Sequence, residues 1–404
     1  MITINKSAVE SYLEQNNESD PVCAYVYDLD HLKDHAQHLK ESLPNFCELY
    51  YAVKANPAVQ LLETLEPIVD GFEVASIGEI NKVDELSEKP MLFGGPGKKD
   101  HEMIEAMQRN VDYINVESVH ELNRMAYLAD QAQVKIPILL RVNLSTNVSD
   151  SHIRMSGVPT QFGIDERDIR DVIDKALKYE QIEIKGFHFH AMSNNLDVDA
   201  HLRFVEMAIE KALTWRKHYD LEAPIIDIGG GIGINYWDTS DPFDWDALAE
   251  GLSAFEAKYI DETITLFLEI GRYMTAGCGS YVSEVLDVKT NHGEHFAVLR
   301  GGSHHLRLPA AWKMSHPFRI HSVEDWHYPF ERPGILNSEV TVAGELCTPN
   351  DVLVRKEFVD QLRAGDIMVF EYAGAYGWTI SHHDFLSHPH PEQVFVANNV
   401  VHKV

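Results

Sequence analysis

The sequence predicts an α/β protein that combines a TIM (β/α)8 barrel with a β-rich second domain. Eight strand-like apolar runs alternate with helix-period stretches from residue 25 to residue 275, a number and spacing typical of such a barrel. After residue 278 the pattern changes to apolar runs separated by turns, with few helical stretches. We therefore expect a barrel domain over residues 28–277 and a β-rich domain formed by residues 1–27 and 278–404.

The predicted barrel strands are short runs that end in polar residues or glycine. They cover residues 48–56, 69–76, 89–97, 111–118, 136–143, 184–193, 223–231 and 265–273. Amphipathic stretches long enough for crossover helices lie between them, for example 98–110, 118–132 and 197–219. If the first strand continues through residue 54, alternation places Ala52 and Lys54 on one face, with Lys54 directed into the barrel mouth.

The charge and the termini exclude several classes of protein. The formal net charge of -29, from 34 basic and 63 acidic residues, argues against binding to nucleic acid or to an anionic membrane. The first 15 residues lack the basic and apolar regions of a signal peptide, and no apolar stretch has the length of a membrane span. The four cysteines form no CxxC pair, which favours reduced thiols. We expect a cytoplasmic protein.

Polar side chains gather at the predicted carboxyl ends of the strands, where barrel enzymes carry their chemistry. They are Lys54, Asn56, Glu73, Ser76, Arg141, Asn143, His188, His190, Ser193, Asp227, Glu269 and Arg272. A lysine taken alone is usually a solvated residue at a strand end, but so many polar residues at one rim make that interpretation improbable for Lys54. For His188 we prefer a buried core histidine to any ligand role, and Asp227 can simply be a brace for the loop that follows it.

The loop after the seventh predicted strand carries glycines at positions 229, 230, 231 and 233, whose backbone N–H groups can bind a phosphate. The dinucleotide pattern GxGxxG fails because Ile234 occupies a required glycine position. A glycine cluster alone is more often a tight turn, but Ser193 and Arg272 at the neighbouring strand ends favour a phosphate pocket. A phosphate pocket, an inward lysine and an imidazole together indicate pyridoxal phosphate.

Eight motifs resemble, in order, those of the fold-type III decarboxylases, the family of diaminopimelate, ornithine and arginine decarboxylases. They are YYAVKAN, GFEVASIGEI, LRVN, FHFHAMS, IGGGIG, EIGRY, GELC and EYAGAYG. The resemblance implies an alanine-racemase-type barrel joined to a β-domain, with pyridoxal 5'-phosphate as the cofactor. It also implies a homodimer in which the β-rich domain contributes to an active site at the interface.

The resemblance implies a role for each matching residue. Lys54 would form the Schiff base with the cofactor, His190 would stack on its ring, and Glu73 would lie near the lysine. The phosphate contacts would come from Ser193, Gly229, Gly230, Gly231, Arg272 and Tyr376, although Tyr376 can also be ordinary packing. Within EIGRY, which includes Gly271, Glu269 would keep the pyridine nitrogen protonated, and Arg141 would lie near the phenolic oxygen.

A carboxylate at the pyridine nitrogen favours decarboxylation, whereas racemases of this fold place an arginine there. The carbanion left by loss of CO2 must then be protonated. In the family a cysteine that matches Cys347 supplies this proton across the dimer interface. An isolated cysteine is more often a small buried hydrophobe, but the GELC motif favours the catalytic role here.

Two departures from the family concern the substrate. Thr348 stands where diaminopimelate and ornithine enzymes carry an acid that binds the distal amine. Residues 301–319 are rich in cationic or donor groups, which suit an anionic substrate, although such a segment can also be a solvated loop or a metal-binding stretch. The substrate-binding candidates from these regions are His304, His305, Arg307, His316, Glu345 and Thr348.

The segment 301–319 resembles decarboxylases that assemble citrate-based siderophores, which implies a citryl-amino acid as substrate, of the citryl-diaminopropionate or citryl-serine type. The main alternative is a diaminopimelate decarboxylase of lysine biosynthesis. A metal-dependent barrel hydrolase using His188 and His190 is a more distant alternative, since such enzymes carry the HxH pair on the first strand. A non-catalytic relative is the last one, and the joint presence of Lys54, Glu269 and Cys347 disfavours it. We expect no metal site.

Overall fold

A computed structural model describes residues 6–16, 20–109, 111–145, 153–154 and 159–404. The chain divides into two compact units. The barrel unit comprises residues 35–234 and 243–274, and the β-rich unit comprises the residues up to 34 together with 235–242 and 275–404.

Eight parallel strands form the barrel, as the sequence predicts. They are Cys47–Ala52, Gly71–Val74, Met91–Phe93, Tyr113–Val116, Ile136–Asn143, Ile182–His188, Ile225–Asp227 and Thr265–Ile270. Each strand pairs with the next, and the eighth pairs with the first through the register Leu266 with Cys47. The ring is therefore closed and has no exposed edge strand.

Among the described residues, one helix precedes the first barrel strand and seven connect the strands on the outside of the ring. They are Leu29–Ser42, Val59–Leu65, Ile77–Asp84, Asp100–Gln108, Val119–Ala132, Ile169–Ala176, Val198–Tyr219 and Trp245–Lys258. Several begin at a side-chain cap: Ser76 accepts a hydrogen bond from Glu79 N and Ser118 from Glu121 N, so that helix N-terminal donors are satisfied. Tyr50, Leu92, Leu139, Ile225 and Phe267 pack together inside the barrel as a hydrophobic cluster.

The end of the first strand differs from the sequence prediction. The strand stops at Ala52, and Lys54 lies in a short 3-10 turn, Val53–Ala55, instead of continuing the strand alternation. Asn56 then adopts an extended conformation (φ -161°, ψ 107°), which the following Pro57 favours. The turn, and not strand alternation, therefore sets the direction of Lys54.

The β-rich unit contains a second sheet. Its main path runs through Val352–Arg363, Gly334–Ala343, Glu294–Leu299, Gly279–Asn291, Cys23–Asp28, Glu392–Ala397 and Val400–Lys403. Strand Ile367–Phe370 pairs with Gly279–Asn291 and with Phe318–His321. The helix Lys6–Gln15 packs on this sheet: its buried Ala8, Val9 and Tyr12 belong to one hydrophobic cluster with residues of four strands.

The described chain also contains three two-residue strands and two short helices. The strand Ile153–Arg154 pairs with Met192–Ser193, and Ile164–Asp165 pairs with the end of the fifth barrel strand. Short helices occupy Arg272–Thr275 and Leu308–Trp312. None of the helices in the described ranges is long and apolar enough to cross a membrane.

Residues 235–242 pack with the β-rich unit, although the sequence division into 28–277 and 278–404 assigns them to the barrel. The Trp237 ring stacks on Trp312 at a centroid distance of 5.9 Å, and Tyr236 meets the same ring edge-on. Aromatic stacking with residues more than 70 positions away, which the local sequence does not reveal, therefore determines where this segment lies.

Candidate active site

Lys54 and Glu73 lie at the carboxyl ends of adjacent barrel strands and form an ion pair. The lysine Nζ donates to Glu73 Oε2 at 2.8 Å, and the glutamate side chain is only 6% exposed. Burial raises the pKa of Glu73 to about 7, even though the Lys54 cation acts in the opposite direction. The side chain of Lys54 is 39% exposed, so its amine is accessible to a ligand.

Glu269 is a buried carboxylate at the end of the eighth strand, close to two histidines. Its Oε1 lies 3.7 Å from His188 Nε2 and its Oε2 lies 3.5 Å from His190 Nδ1. Burial opposes the charge, but His188, His190 and the Lys54 cation together lower the pKa of Glu269 below its usual value. Burial also lowers the pKa of both histidines. Glu269 is therefore a buried carboxylate that its neighbours keep ionised.

Some atoms around Glu269 have no hydrogen-bond partner in the described part of the chain. They are Glu269 Oε1, both ring nitrogens of His188 and Asp227 Oδ2. Buried polar atoms of this kind normally have a partner in the working protein, which a bound molecule or water can supply. His188 is thus buried, as expected for a core histidine, but it lacks the partners that a purely structural role would give it.

The glycine loop after the seventh strand passes close to other backbone. Gly229 has φ +64° and Gly231 has φ +89°, conformations that side chains rarely adopt. A Cβ at Gly230 would overlap the carbonyl oxygen of Glu269, and one at Gly231 would lie 2.5 Å from the carbonyl oxygen of Met192. Only glycine fits these positions.

Asp227 supports the start of this loop. Its Oδ1 accepts a hydrogen bond of 2.8 Å from Gly229 N. Burial, and secondly the nearby charge of Glu269, raise the pKa of Asp227 well above its usual value. The raised pKa favours the neutral carboxyl form, and the bond to Gly229 N makes Asp227 a support for the glycine loop.

Arg141 stands at the end of the fifth strand and is held by a residue that the sequence analysis did not select. Its NH1 donates to Glu117 Oε1 at 2.8 Å, and the guanidinium carbon lies 4.8 Å from the centre of the Phe162 ring. Glu117 follows the fourth strand directly, so its position at a strand end was the signal that could have identified it.

Three further candidates belong to the same unit. Ser193 ends a two-residue strand after the sixth barrel strand. Gly271 packs against the end of the first strand and the turn that follows it, since a Cβ there would lie 3.2 Å from the Cβ of Ala52 and 3.0 Å from that of Ala55. Arg272 begins the short helix after the eighth strand. The barrel unit thus carries all of the predicted cofactor-binding residues except Tyr376.

In the β-rich unit, Cys347 is exposed and lies in a turn that Asp351 braces. Asp351 Oδ2 accepts from Leu346 N at 2.9 Å and Oδ1 from Ser303 N at 2.6 Å. Glu345 N donates to the Gly301 carbonyl at 2.8 Å. These bonds join the Cys347 turn to the start of the histidine-rich segment.

The substrate-binding candidates differ widely in burial. His304 and His305 are fully buried and His316 is 1% exposed, whereas Arg307 is exposed and Thr348 is half-buried. His304 Nε2 lies 3.7 Å from Glu345 Oε1, and His388 Nδ1 lies 3.5 Å from the same oxygen. The histidines thus lie behind the surface, and Arg307 is the candidate cation of this segment that solvent reaches. Tyr376 is half-buried, with φ +51°.

The donor set of the barrel unit fits pyridoxal phosphate. It offers a partly exposed lysine, a buried charged carboxylate, and a loop of backbone N–H groups that only glycine can form. His188, His190 and Glu269 also place one ligand atom each within 4.8 Å of one another, a spacing compatible with a metal ion.

A closed (β/α)8 barrel with a lysine after its first strand, joined to a β-rich unit, defines the fold-type III class of pyridoxal-phosphate enzymes. The family described as "Pyridoxal-dependent decarboxylase, pyridoxal binding domain" matches residues 29–276. A Staphylococcus aureus protein named 2-[(L-alanin-3-ylcarbamoyl)methyl]-2-hydroxybutanedioate decarboxylase is 45% identical over 96% of this chain and 98% of its own length. The chain therefore belongs to the pyridoxal-dependent decarboxylases.

Other relatives agree on the class. The L-glutamyl-[BtrI acyl-carrier protein] decarboxylase of Niallia circulans is 30% identical over 93% of this chain and 88% of its own length. A crystal structure of Helicobacter pylori diaminopimelate decarboxylase, complexed with L-lysine, matches 98% of this chain and 95% of its own with a TM-score of 0.85 at 24% identity. The predicted fold, cofactor and carboxy-lyase class are confirmed, and the barrel hydrolase is excluded as the activity class.

Proposed function

We propose that this enzyme removes the α-carboxylate from an amino-acid unit joined to citrate, as a step in the biosynthesis of a carboxylate siderophore. The observation that carries the proposal is the 45% identity to the S. aureus decarboxylase over 96% of the chain. The name of that relative describes citrate whose terminal carboxyl forms an amide with the side-chain amine of 2,3-diaminopropionate. Such a substrate bears three carboxylates beside one α-amino group.

The barrel residues bind and tune the cofactor in this proposal. Pyridoxal phosphate supplies an electron sink that takes up the electron pair left when CO2 departs. Lys54 would attach it covalently, and Glu73, whose Oε2 lies 2.8 Å from the lysine Nζ, would hold the amine and exchange protons with it. Glu269, kept charged by its surroundings, would accept the pyridine N–H, and His190 would pack against the ring.

The phosphate end is assigned to groups that surround the glycine loop. Gly229, Gly230 and Gly231 offer backbone donors, with Ser193 and Arg272 at the ends of the strands on either side. Tyr376 would add a hydroxyl, and Gly271 precedes Arg272 at a position where a Cβ would lie 3.0 Å from that of Ala55. Arg141 would lie beside the phenolic oxygen, where its positive charge would favour the anionic form.

Cys347 protonates the carbon that has lost CO2. It is exposed in the single chain, so a second subunit can place it in a shared site, and we propose a cytoplasmic homodimer with composite active sites. Thr348 and Glu345 flank the site on either side of this cysteine. Thr348 is uncharged, whereas an acid at this position would attract a distal amine and repel citrate.

Arg307 binds a citrate carboxylate, since it is the exposed cation among the residues that the sequence predicts to bind substrate. Three histidines of the same segment are buried, so in this proposal they hold the segment that carries Arg307 and do not contact the substrate. They are His304, His305 and His316. His316 does this through the contact of its Nε2 with the Glu371 carbonyl at 2.7 Å. Of the candidates in this segment, Arg307 therefore keeps the direct substrate contact that the sequence predicts, and the three histidines do not.

Mass spectrometry of reactions with citryl-diaminopropionate, citryl-serine, diaminobutyrate and meso-diaminopimelate tests the proposal. We expect loss of one carboxyl group from a citryl conjugate alone. Turnover of meso-diaminopimelate alone would instead place the enzyme in lysine biosynthesis, a candidate favoured by 28% identity to the Campylobacter jejuni diaminopimelate decarboxylase.

A variant pair tests the cofactor assignment. Lys54→Ala should abolish turnover and the absorbance band that borohydride discharges. The exposed Lys99→Ala serves as the matched control and should keep both. A persistent band in Lys54→Ala would show that another lysine carries the cofactor.

A further inference from the structure

Glu117 joins three parts of the barrel mouth through one buried carboxylate. Its Oε1 accepts from Arg141 NH1 at 2.8 Å, and its Oε2 accepts from Gly163 N at 3.0 Å. The side chain is 3% exposed and that of Arg141 is 9% exposed. A charge-assisted pair in such surroundings is directional and strong, because water does not compete for either group.

The contact to Gly163 ties a returning loop to Arg141. Gly163 has φ +73°, and the neighbouring Phe162 places its ring 4.8 Å from the guanidinium carbon. One face of the guanidinium therefore packs on an aromatic ring while one edge is bound by Glu117. The two contacts leave Arg141 little freedom to rotate.

A second ion pair, between Lys98 and Glu121, holds the backbone of Glu117. Glu117 N donates to Glu121 Oε2 at 2.7 Å, and Glu121 Oε1 accepts from Lys98 Nζ at 2.7 Å. Lys98 Nζ also donates to the carbonyls of Gly95 and Asn115. The network contains two cations and two carboxylates, so it balances its charge inside the protein.

We propose that Glu117 is a positioning residue: it fixes the Arg141 guanidinium beside the bound cofactor and moderates the positive charge that the cofactor experiences. The inference rests on the proposed contact of Arg141 with the cofactor. Nothing in the motif comparison selects Glu117, and the geometry alone carries its role. In the described part of the chain, Arg141 also acts on His188, at the end of the adjoining strand, and on His190, two residues beyond it.

The charge balance gives the proposal a measurable sign. Glu117→Gln keeps the shape of the side chain but removes its charge, so the guanidinium acts on the cofactor with a larger positive field. A larger positive field disfavours a proton on the lysine-linked cofactor. We expect the pH midpoint of the cofactor absorbance change to fall by about one unit, and kcat to fall about 10-fold, as for other residues that orient a ligand-binding group.

Arg141→Gln and Glu121→Gln in the holoenzyme complete the experiment. Arg141→Gln removes the cation and should move the midpoint to higher pH. Glu121→Gln removes an equally buried carboxylate from the same network, without contact to Arg141, and should lower the thermal unfolding midpoint while leaving the spectral midpoint in place.

The results distinguish the cofactor contact of Arg141 from the positioning role of Glu117. An unchanged spectral midpoint in Arg141→Gln would overturn the cofactor contact of Arg141, and with it this part of the proposed function. A shift in Arg141→Gln without one in Glu117→Gln would overturn the role of Glu117 alone. Equal shifts in Glu117→Gln and Glu121→Gln would also overturn it, because general loosening of the network would then explain both.

Discussion

The Lys54 ammonium donates a hydrogen bond of 2.8 Å to Oε2 of Glu73, which lies on the neighbouring strand of the barrel. The carboxylate is buried, so its pKa is raised to about 7 in spite of the cation beside it. A carboxyl group with this proton affinity can gain or lose a proton near neutral pH. The pair therefore has the properties needed to pass a proton to and from the lysine amine.

The first prediction concerns stability and pH. Because the pKa of Glu73 is raised on folding, its contribution to stability is fully present below pH 4.5 and is lost as pH rises through about 7. In cofactor-free wild type, the titration of Glu73 should lower the free energy of unfolding by on the order of 2 kcal/mol between pH 5 and pH 8. Glu73→Gln should abolish this decrease. Urea unfolding at four pH values in this range measures it.

Glu102→Gln provides the control for Glu73. Glu102 accepts a hydrogen bond from Lys99 N, which lowers its pKa, so its titration lies below pH 5. The same substitution there should leave the pH dependence between pH 5 and pH 8 unchanged. Parallel curves for wild type and Glu73→Gln would contradict the raised pKa.

The second prediction concerns Asp227. Its raised pKa favours the neutral carboxyl group, and an asparagine retains the acceptor for Gly229 N. Asp227→Asn should therefore cost less than about 1 kcal/mol, whereas Asp227→Ala should cost about 1–3 kcal/mol because it leaves a buried N–H unpaired. Thermal unfolding of the two variants measures the difference.

Asp70 is the contrasting case for the same chemical change. It accepts from Lys40 Nζ at 2.5 Å and from Leu49 N at 2.6 Å. Asp70→Asn removes a charged partner and should lower the unfolding midpoint more than Asp227→Asn. The reverse order would mean that Asp227 is ionised in the folded protein.

The strand-end residues explain how much the sequence alone could predict. Polar groups at the ends of apolar runs, such as Glu73, Arg141 and Glu269, follow from the geometry of any parallel barrel, because strand ends share one rim. The glycine positions could be predicted in the same way, because only glycine fits where two backbone segments approach closely. The fold and the rim could thus be predicted without coordinates.

Other features depend on contacts that the local sequence does not encode. Residues 235–242 resemble any connection between barrel elements, and only the stacking of Trp237 on Trp312 places them in the β-rich unit. The 3-10 turn at Lys54 breaks the alternation that a continued strand would give. His304 and His305 have the composition of a polar surface but are fully buried, because the fold encloses them.

The third prediction tests the glycine loop. A Cβ at Gly230 would overlap the Glu269 carbonyl oxygen, which is backbone and cannot move alone. Gly230→Ala should shift the loop and weaken cofactor binding by about 100-fold, since a displacement of the donors by a fraction of an ångström is enough. Fluorescence titration of cofactor-free protein with pyridoxal phosphate measures the dissociation constant.

Gly97→Ala is the matched control in the same unit. A Cβ there meets nothing within 4 Å, so we expect unchanged cofactor affinity and a thermal midpoint equal to or above that of wild type. If Gly230→Ala bound the cofactor as tightly as Gly97→Ala, the loop would not form the phosphate site.

The fourth prediction concerns the brace behind Cys347. The two oxygens of Asp351, which is 1% exposed, each accept one backbone N–H, from Ser303 and from Leu346. Asp351→Asn can accept only one of these bonds and places an amide donor against the other N–H, so it should cost about 2 kcal/mol. Thermal unfolding measures this loss.

The effect of Asp351 on activity should appear at the cysteine. A loosened turn misplaces Cys347, so Asp351→Asn should lower kcat about 10-fold while the absorbance of the bound cofactor stays that of wild type. Asn350→Asp, one position earlier and exposed, changes the charge of the same turn without touching either N–H and should retain kcat. A lower kcat accompanied by loss of the cofactor band would instead place the damage in the barrel, and the brace would then have no specific connection to Cys347.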